Sequence, residues 1–408
     1  MHHCSSRPRA VPIAPAKGMP QLTSIDDLLE QMVGLNASDL HVTTDSPPVY
    51  RIRGEILRAE GFDPMTPDDT RSLLYRILSS EQQKIFEQKR QLDFAYALPG
   101  VARFRVNIYY QREAVGAAFR LIPQEIKALE ELGLLTVLHT FAEKPRGIVL
   151  VTGPTGSGKS TTLAAILDEI NRNRSEHILT IEDPIEFVHR HKRCIVNQRE
   201  IGPDALSFGD ALKAALRQDP DIILVGEMRD METISTALTA AETGHLVFAT
   251  LHTQSAPSTI DRIIDVFPAE QQEQVRIMIA NSLQGVVTQT LLPTADGQGR
   301  VAALEILLPD DAVRNLIRQA KIEQVYSIMQ TNTARGMQTM EQALADLTLR
   351  RVVNAEDAFA HTNRRDILAG ILERSGMDVR GVMASLELSA APPPPQSASG
   401  LRVAGGGA

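Results

Sequence analysis

Cysteine is almost absent from this chain. The two residues present, Cys4 and Cys194, exclude a disulfide scaffold and a four-thiolate zinc site within one chain. No apolar run approaches the ~20 residues needed to cross a bilayer, so no membrane span is expected. Met1 to Gly18 lack the continuous apolar core of a signal peptide and read as a disordered leader upstream of a start at Met19. Positive charge is in deficit: 42 Lys and Arg stand against 50 Asp and Glu, a net −8. That balance argues against a general nucleic-acid binder, though not against a local basic channel in an assembly. His2, His3 and Cys4 lie at a terminus with no oriented partners around them, which disfavours a metal site. The rest is an ordinary soluble composition, 43% hydrophobic and 23% charged, over 408 residues, enough for two to three domains. A cytosolic protein is the expectation.

The most specific feature is Gly153-Pro154-Thr155-Gly156-Ser157-Gly158-Lys159-Ser160, followed by Thr161, which fits the P-loop pattern G-x4-G-K-[ST]. Ile148-Val149-Leu150-Val151 leads into it as a strand, and Thr162 to Leu167 leaves it as a helix. Glycines let successive backbone N–H groups turn toward phosphate oxygens, and the helix presents its positive end. Lys159 adds a charge for the β- and γ-phosphates, and the Ser160 hydroxyl is placed for Mg2+. A glycine-rich turn that merely starts a helix would not require Lys-Ser at its end. The pattern predicts binding of a nucleoside triphosphate.

Around this motif the apolar runs Ile178–Ile181, Ile222–Val225 and Leu246–Thr250 alternate with helical stretches. That alternation predicts a parallel sheet with chemistry at the strand C-terminal ends. Upstream the pattern is mixed α/β: a helix over Ile25–Leu35, a strand at Asp39–Val42, a hairpin over Val49–Leu57 turning at Gly54, and a second hairpin over 102–121. In the second hairpin Phe104, Val106 and Ile108 share one face, leaving Arg103, Arg105 and Asn107 on the other. A helix-rich joint is expected over Gln124–Lys144, and helices from about Pro309 to Leu386. The proline-rich and glycine-rich terminus reads as a disordered tail.

Three polar clusters follow predicted strands. Glu182-Asp183-Pro184-Ile185-Glu186 offers carboxylates for a hydrated Mg2+ or for water, although a plain polar turn explains it equally well alone. Asp221 to Glu227 is an apolar strand ending in an acid, with Gly226 where an aspartate is common, which points to Glu227 as the group that polarises attacking water. Gly244 to Thr253 brackets a strand with His245 and His252, and His252 is the candidate for a γ-phosphate contact. Arg103, Arg105, Arg112 and Arg120 lie outside this region and are read as repeating on one face. At least two are expected to act as arginine fingers, though a solvated basic face accounts equally for any single one.

In this order, Gly153 to Thr161, Glu182 to Glu186, Asp219 to Asp230 and Gly244 to Thr253 resemble the Walker A, Asp-box, Walker B and His-box motifs of the secretion and type IV pilus ATPases. Asn36 to His41, Arg103 to Asn107, Gln111-Arg112, Val266-Phe267-Pro268 and Met337 to Met340 are similar to the pilus-retraction branch. So is Ala312-Val313-Arg314-Asn315-Leu316-Ile317-Arg318, assigned to force transmission, with Arg314 and Arg318 on one helix face. Departures are Ala249, where retraction motors usually carry glycine, and the absence of the four zinc-binding cysteines of extension motors.

The resemblance implies an α/β protein: a PAS-like domain over 21–122, a linker over 123–145, a RecA-like ATPase core over 146–309 and a helical region over 310–386, between a leader over 1–20 and a tail over 387–408. It implies a ring of six subunits that hydrolyses ATP with Mg2+, the nucleotide held between the first two domains and completed by a neighbour. The catalytic set would be Glu227, Glu182 and His252, with Arg103 or Arg105 and Arg112 on the phosphoryl group. The expected partner is a membrane-embedded platform protein, which places the chain in the cytoplasm against the inner membrane with no direct nucleic acid. An accessory retraction ATPase as partner is left open. So are two rival functions: an accessory, DNA-uptake or secretion motor, and a nucleotide-gated binding module with negligible turnover.

Overall fold

The computed structural model describes residues 24–52, 54–59, 61–123 and 125–382. The expected leader and tail, and the boundary residues Gln124 and Leu386, lie outside these. The described residues begin with α1 (Ile25–Gly34), β1 (Asp39–Val42), β2 (Val49–Ile52), β3 (Glu55–Arg58), α2 (Pro67–Tyr75), α3 (Ser80–Lys89), β4 (Gln91–Leu98), β5 (Ala102–Gln111) and β6 (Ala114–Ile122). These strands form one six-stranded antiparallel sheet in the order β3-β2-β1-β6-β5-β4. Ile25, Leu28, Leu29 and Met32 recur at helical spacing and are buried, so α1 buries one stripe. Each of the three helices starts with a reciprocal capping box: Ser24 with Asp27, Thr66 with Asp69, Ser79 with Gln82. Phe104, Val106 and Ile108 are fully buried on one face of β5, as the alternation predicts.

A parallel sheet follows, with β7 (Gly147–Thr152), α5 (Lys159–Asn173), β8 (His177–Glu182), β9 (Ile195–Glu200), α6 (Phe208–Ala215), β10 (Ile222–Val225), α7 (Met231–Glu242), β11 (Leu246–Leu251), α8 (Ala256–Asp265) and α9 (Ala269–Ser282). Strands β11, β10, β8 and β9 are neighbours in that order, all parallel. Every residue of β7, β10 and β11 is buried, the run expected of strands covered on both faces. The joint before β7 is not helix-rich: among its described residues only a short 3-10 turn at Thr136–Leu138 and the four-residue α4 (His139–Ala142) form. Gly133, at φ +65°, breaks the segment in the left-handed region, and Leu129 is buried from a turn instead.

The chain divides into two compact units, and the first holds both sheets just described, with residues 159–251 and 263–284 among its segments. The second comprises residues 152–158, 252–262 and those from 285 onward. Its elements include the antiparallel pair β12 (Leu283–Pro293) and β13 (Arg300–Leu307), then α10 (Asp311–Arg318), α11 (Val325–Thr331), α12 (Met340–Leu349), α13 (Ala355–Ala360) and α14 (Arg365–Arg374). A small core of Leu344, Phe359, Leu368 and Leu372 holds α12, α13 and α14 together. Among the described residues no helix is long and apolar enough to cross a membrane.

Candidate nucleotide site

The P-loop runs from the end of β7 into α5, the strand-loop-helix order its chemistry needs. Its backbone is shaped by Gln289 on β12. Gly153 has φ +136°, and a Cβ there would lie 2.2 Å from the Gln289 carbonyl oxygen, so only glycine fits. The Gln289 side-chain amide donates to the Ser157 carbonyl oxygen at 2.7 Å. Pro154, Thr155 and Gly156 are exposed, whereas the buried Ser157 hydroxyl has no hydrogen-bond partner. An orphaned hydroxyl inside a glycine-rich loop is the kind of donor that a bound oxyanion satisfies.

Lys159 opens α5 and is largely buried, with Ser160 and Thr161 half-buried after it. Burial pulls the Lys159 ammonium below its usual range, opposed by the charges of Glu227 and Glu186. Two acids thus act on the lysine, the expected Glu227 after β10 and Glu186 of the Asp-box loop, rather than the expected Glu182. Glu227 is held by Arg229 through two bonds of 2.6 Å, which raises the arginine further. Gly226 occurs before it for a steric reason. A Cβ there would lie 3.0 Å from the Ile181 carbonyl oxygen and 3.2 Å from Cα of Glu182.

Glu182 is placed differently from Glu227. One carboxylate oxygen accepts from Thr180 at 2.6 Å and Gln198 at 3.1 Å, and burial pushes its carboxyl above the usual range. The loop after it, with a cis Asp183–Pro184 bond, is pinned to α5 by the fully buried Asn171. Its amide donates to the Arg190 carbonyl oxygen at 2.7 Å and accepts from the backbones of Lys192 and Cys194. His252 is exposed one residue past β11, and the His245 ring contacts the Ala240 carbonyl oxygen at 3.0 Å.

The arginines do not form one set. Arg103 and Arg105 lie on the face of β5 opposite its core residues, and Arg120 of β6 is the register partner of Arg105. Arg112 does not share that face: it sits in the β5–β6 turn at φ 45°, nine residues from Arg103 and so about 30 Å along a strand. The expected repetition on one face fails there because the strand ends at Gln111. Arg103 is paired within its own chain, 2.8 Å from the buried Glu200 of β9. Arg105 is half-exposed, 3.9 Å from an exposed Asp93. Arg120 is bound to Asp39 at 2.8 Å. In α10, Val313 and Ile317 are buried, Arg314 and Leu316 half-buried, and Asn315 and Arg318 exposed.

Sequence reasoning did not single out Gln289, Asn171, Gln198 or Glu200. Each acts on residues distant in sequence and carries no local motif. The second unit holds another such group, Glu305, which lines a cavity of about 590 Å3 with Tyr326, Glu341 and Arg364. Glu305 accepts backbone N–H bonds from Ala256 at 2.6 Å and Met340 at 3.3 Å, the first residues of α8 and α12. Burial nevertheless pushes its carboxyl up to about 7.

A parallel sheet with a P-loop between strand and helix, and acids after the neighbouring strands, defines a P-loop α/β protein of the RecA-like class. The type II/IV secretion system protein family matches residues 17–364. The chain belongs to that family, and within it to the branch of the pilus-retraction ATPases. It is 53% identical to the type IV pilus retraction ATPase PilT of Pseudomonas aeruginosa, over 82% of this chain and 96% of that protein. It is 52% identical to a twitching motility protein of Neisseria gonorrhoeae, over 76% of this chain and 83% of that protein. A crystal structure of the pilus retraction motor PilT with bound ADP matches with a TM-score of 0.80 and 50% identity, covering 86% of this chain and all of that one.

Proposed function

We propose that this chain is a homohexameric ATPase that drives retraction of type IV pili, and with it twitching motility. One observation carries the reading: Lys159 of the P-loop is buried against the charges of Glu227 and Glu186. That electrostatic coupling supports reading Lys159 as the phosphate-binding cation and Glu227 as the group that directs water. The names of the similar proteins supply the mechanical task.

Catalysis of this kind is positioning and charge neutralisation. The N–H groups of Gly153 to Gly158 would cradle the phosphates, and Lys159 would bind the β- and γ-oxygens. Glu227 would accept a hydrogen bond from the attacking water. Glu182, already occupied by Thr180 and Gln198, would shape the loop, leaving Asp183 and Glu186 as its solvent-facing carboxylates. His252 would donate to the γ-phosphate. Arg105, the half-exposed arginine of β5, is the best-placed candidate to act on a neighbouring subunit, whereas Arg103 serves its own chain. Mg2+ fits the donor set: the hydroxyl-bearing Ser160 is half-buried at the start of α5, directly after Lys159. That suits a cation held chiefly by nucleotide oxygens, where it would neutralise phosphate charge. The ring would act from the cytoplasm on a platform protein of the inner membrane. The α10 face carrying Arg314 and Arg318 would transmit the motion.

The test is Lys159→Ala, with Glu227→Gln beside it. Lys159→Ala should lower ATP turnover on the order of a hundredfold or more, and should fail to restore retraction in a strain lacking the protein. Glu227→Gln should bind ATP yet hydrolyse it at a similarly reduced rate. Wild-type turnover by folded Lys159→Ala protein would overturn the reading.

A further inference from the structure

Glu200 has no part in the chemistry above, yet it is 2% exposed and carries a carboxylate at the last position of β9. Such a charge is costly to bury unless paired. Its Oε2 accepts two hydrogen bonds. One comes from Arg103 Nη2 on β5 of the N-terminal sheet, at 2.8 Å. The other comes from the backbone N–H of Ile185, at 3.3 Å, within the loop between Glu182 and Glu186. Around it the backbone is stitched to the same loop: Glu200 pairs with Glu182 in the β8–β9 register, and Ile201 N–H donates to the Glu182 carbonyl oxygen at 2.9 Å. Glu200 itself is fixed by its N–H bond to Asp204 at 2.8 Å.

We propose that Glu200 is a positioning residue that couples the Asp-box loop to strand β5 through Arg103, so that the placement of Glu186 beside Lys159 and the placement of the N-terminal sheet depend on each other. The physical basis is the shared oxygen. The charge-assisted Arg103 bond is shorter and stronger than the neutral one from Ile185. A shift of the loop that lengthens the Ile185 bond leaves the carboxylate to Arg103, and a shift of β5 does the reverse. Arg103 and Glu200 are 97 residues apart in sequence, and one short side chain joins β5 to the loop. Arg103 is thereby assigned to its own chain: its guanidinium neutralises a buried carboxylate, and its Nε is itself buried without a partner.

The inference rests on the ATPase reading and is tested on the full-length chain with Glu200→Gln, Arg103→Gln and the double variant. For each, nucleotide Kd, ATPase kcat and KM, and the unfolding midpoint are measured. Each single variant should lower kcat per folded protein roughly tenfold or more through misplacement of the loop, with Kd within about twofold of wild type. The double variant should fall no further than the worse single, because both remove one link. Should Glu200→Gln fail to fold, Arg103→Lys replaces it. The lysine keeps the carboxylate neutralised but brings a compact ammonium on a shorter stem in place of the Nη2 that bonds Oε2, so kcat should fall while the unfolding midpoint is retained. A Glu200→Gln kcat within twofold of wild type, or fully multiplicative single effects, would overturn the coupling alone. An unchanged kcat in Arg103→Lys would do the same. A wild-type chain without ATPase activity would instead remove the ATPase reading, and this inference with it.

Discussion

The Thr250 hydroxyl, near the end of β11, donates to the carbonyl oxygen of Gly226, and the Thr250 carbonyl accepts from Met228 N–H at 3.1 Å. One threonine thus holds the backbone on both sides of Glu227. The side-chain bond orients the peptide ahead of the acid, and the main-chain bond orients the one after it.

Thr250→Val keeps the shape and the main-chain bond but removes the hydroxyl. The loss of one hydrogen bond should lower stability by about 1 kcal/mol. The turn bearing Glu227 should loosen, and kcat should fall about tenfold with little change in nucleotide affinity. Steady-state kinetics beside a nucleotide titration checks this. A weakened affinity with unchanged kcat would disconnect Thr250 from Glu227.

Arg105 stands half-exposed on β5, with only a distant carboxylate beside it. If it acts on the neighbouring subunit, Arg105→Ala and Lys159→Ala proteins should each be nearly inactive, and mixing them should restore turnover. In an equimolar random ring about a quarter of the head-to-tail interfaces combine an intact arginine with an intact P-loop. Phosphate release by rings proven to be mixed is the measurement. Activity no higher than that of the two parents would place Arg105 in its own subunit.

Glu305 gives stability a sign with pH. Burial raises its folded carboxyl to about 7 from the ordinary 4.5, with Glu341 adding to the rise and Arg364 opposing it. The folded chain therefore holds this proton more tightly than the unfolded chain. The resulting stabilisation is fully present below about pH 4.5 and is lost as pH rises through about 7. It amounts to about 3 kcal/mol. Between pH 5 and 8 Glu305→Gln should flatten the decline of the unfolding midpoint, read beside wild type in matched buffers. Parallel curves would show that Glu305 is ionised at the same pH in both states.

Arg314 and Arg318 share a face of α10, with Val313 and Ile317 holding the helix from the other side. Arg318 is exposed but Arg314 half-buried, so replacing both by alanine should cost on the order of 1–2 kcal/mol, mostly from the lost packing of the Arg314 stem. ATPase activity should persist while pilus retraction stops. Loss of ATPase would assign the pair to ring assembly, and normal retraction to an ordinary solvated helix.

Much of the fold was legible before any coordinates. The runs ending at Val151, Ile181, Val225 and Thr250 became β7, β8, β10 and β11, because uninterrupted apolar stretches ending in polar clusters have few other uses. The hairpin over 102–121 and the helix at Ile25 followed from period alone. Strands β4, β9, β12 and β13 did not. Ile195-Val196-Asn197-Gln198-Arg199-Glu200 has no apolar run and is a strand only because β8 offers it an edge. The joint over 124–144 misled through its leucines and glutamates, which favour helix locally but are spent in turns.

By itself the sequence determined the chemistry at hand: a P-loop after a strand, an acid after the next, and histidines around a third. Those identities are local, written in spacing and residue type, and short-range sterics and strand period suffice to place them. Only the tertiary structure decided which other side chains serve them. Gln289 reaches the P-loop across 132 positions, and Arg103 reaches Glu200 across 97. It also separated Arg112 from Arg103, and turned Glu182 toward Thr180 and Gln198. A buried polar group takes whichever donor the packing brings within about 3 Å, and that choice belongs to the folded backbone, with no local signature in the sequence.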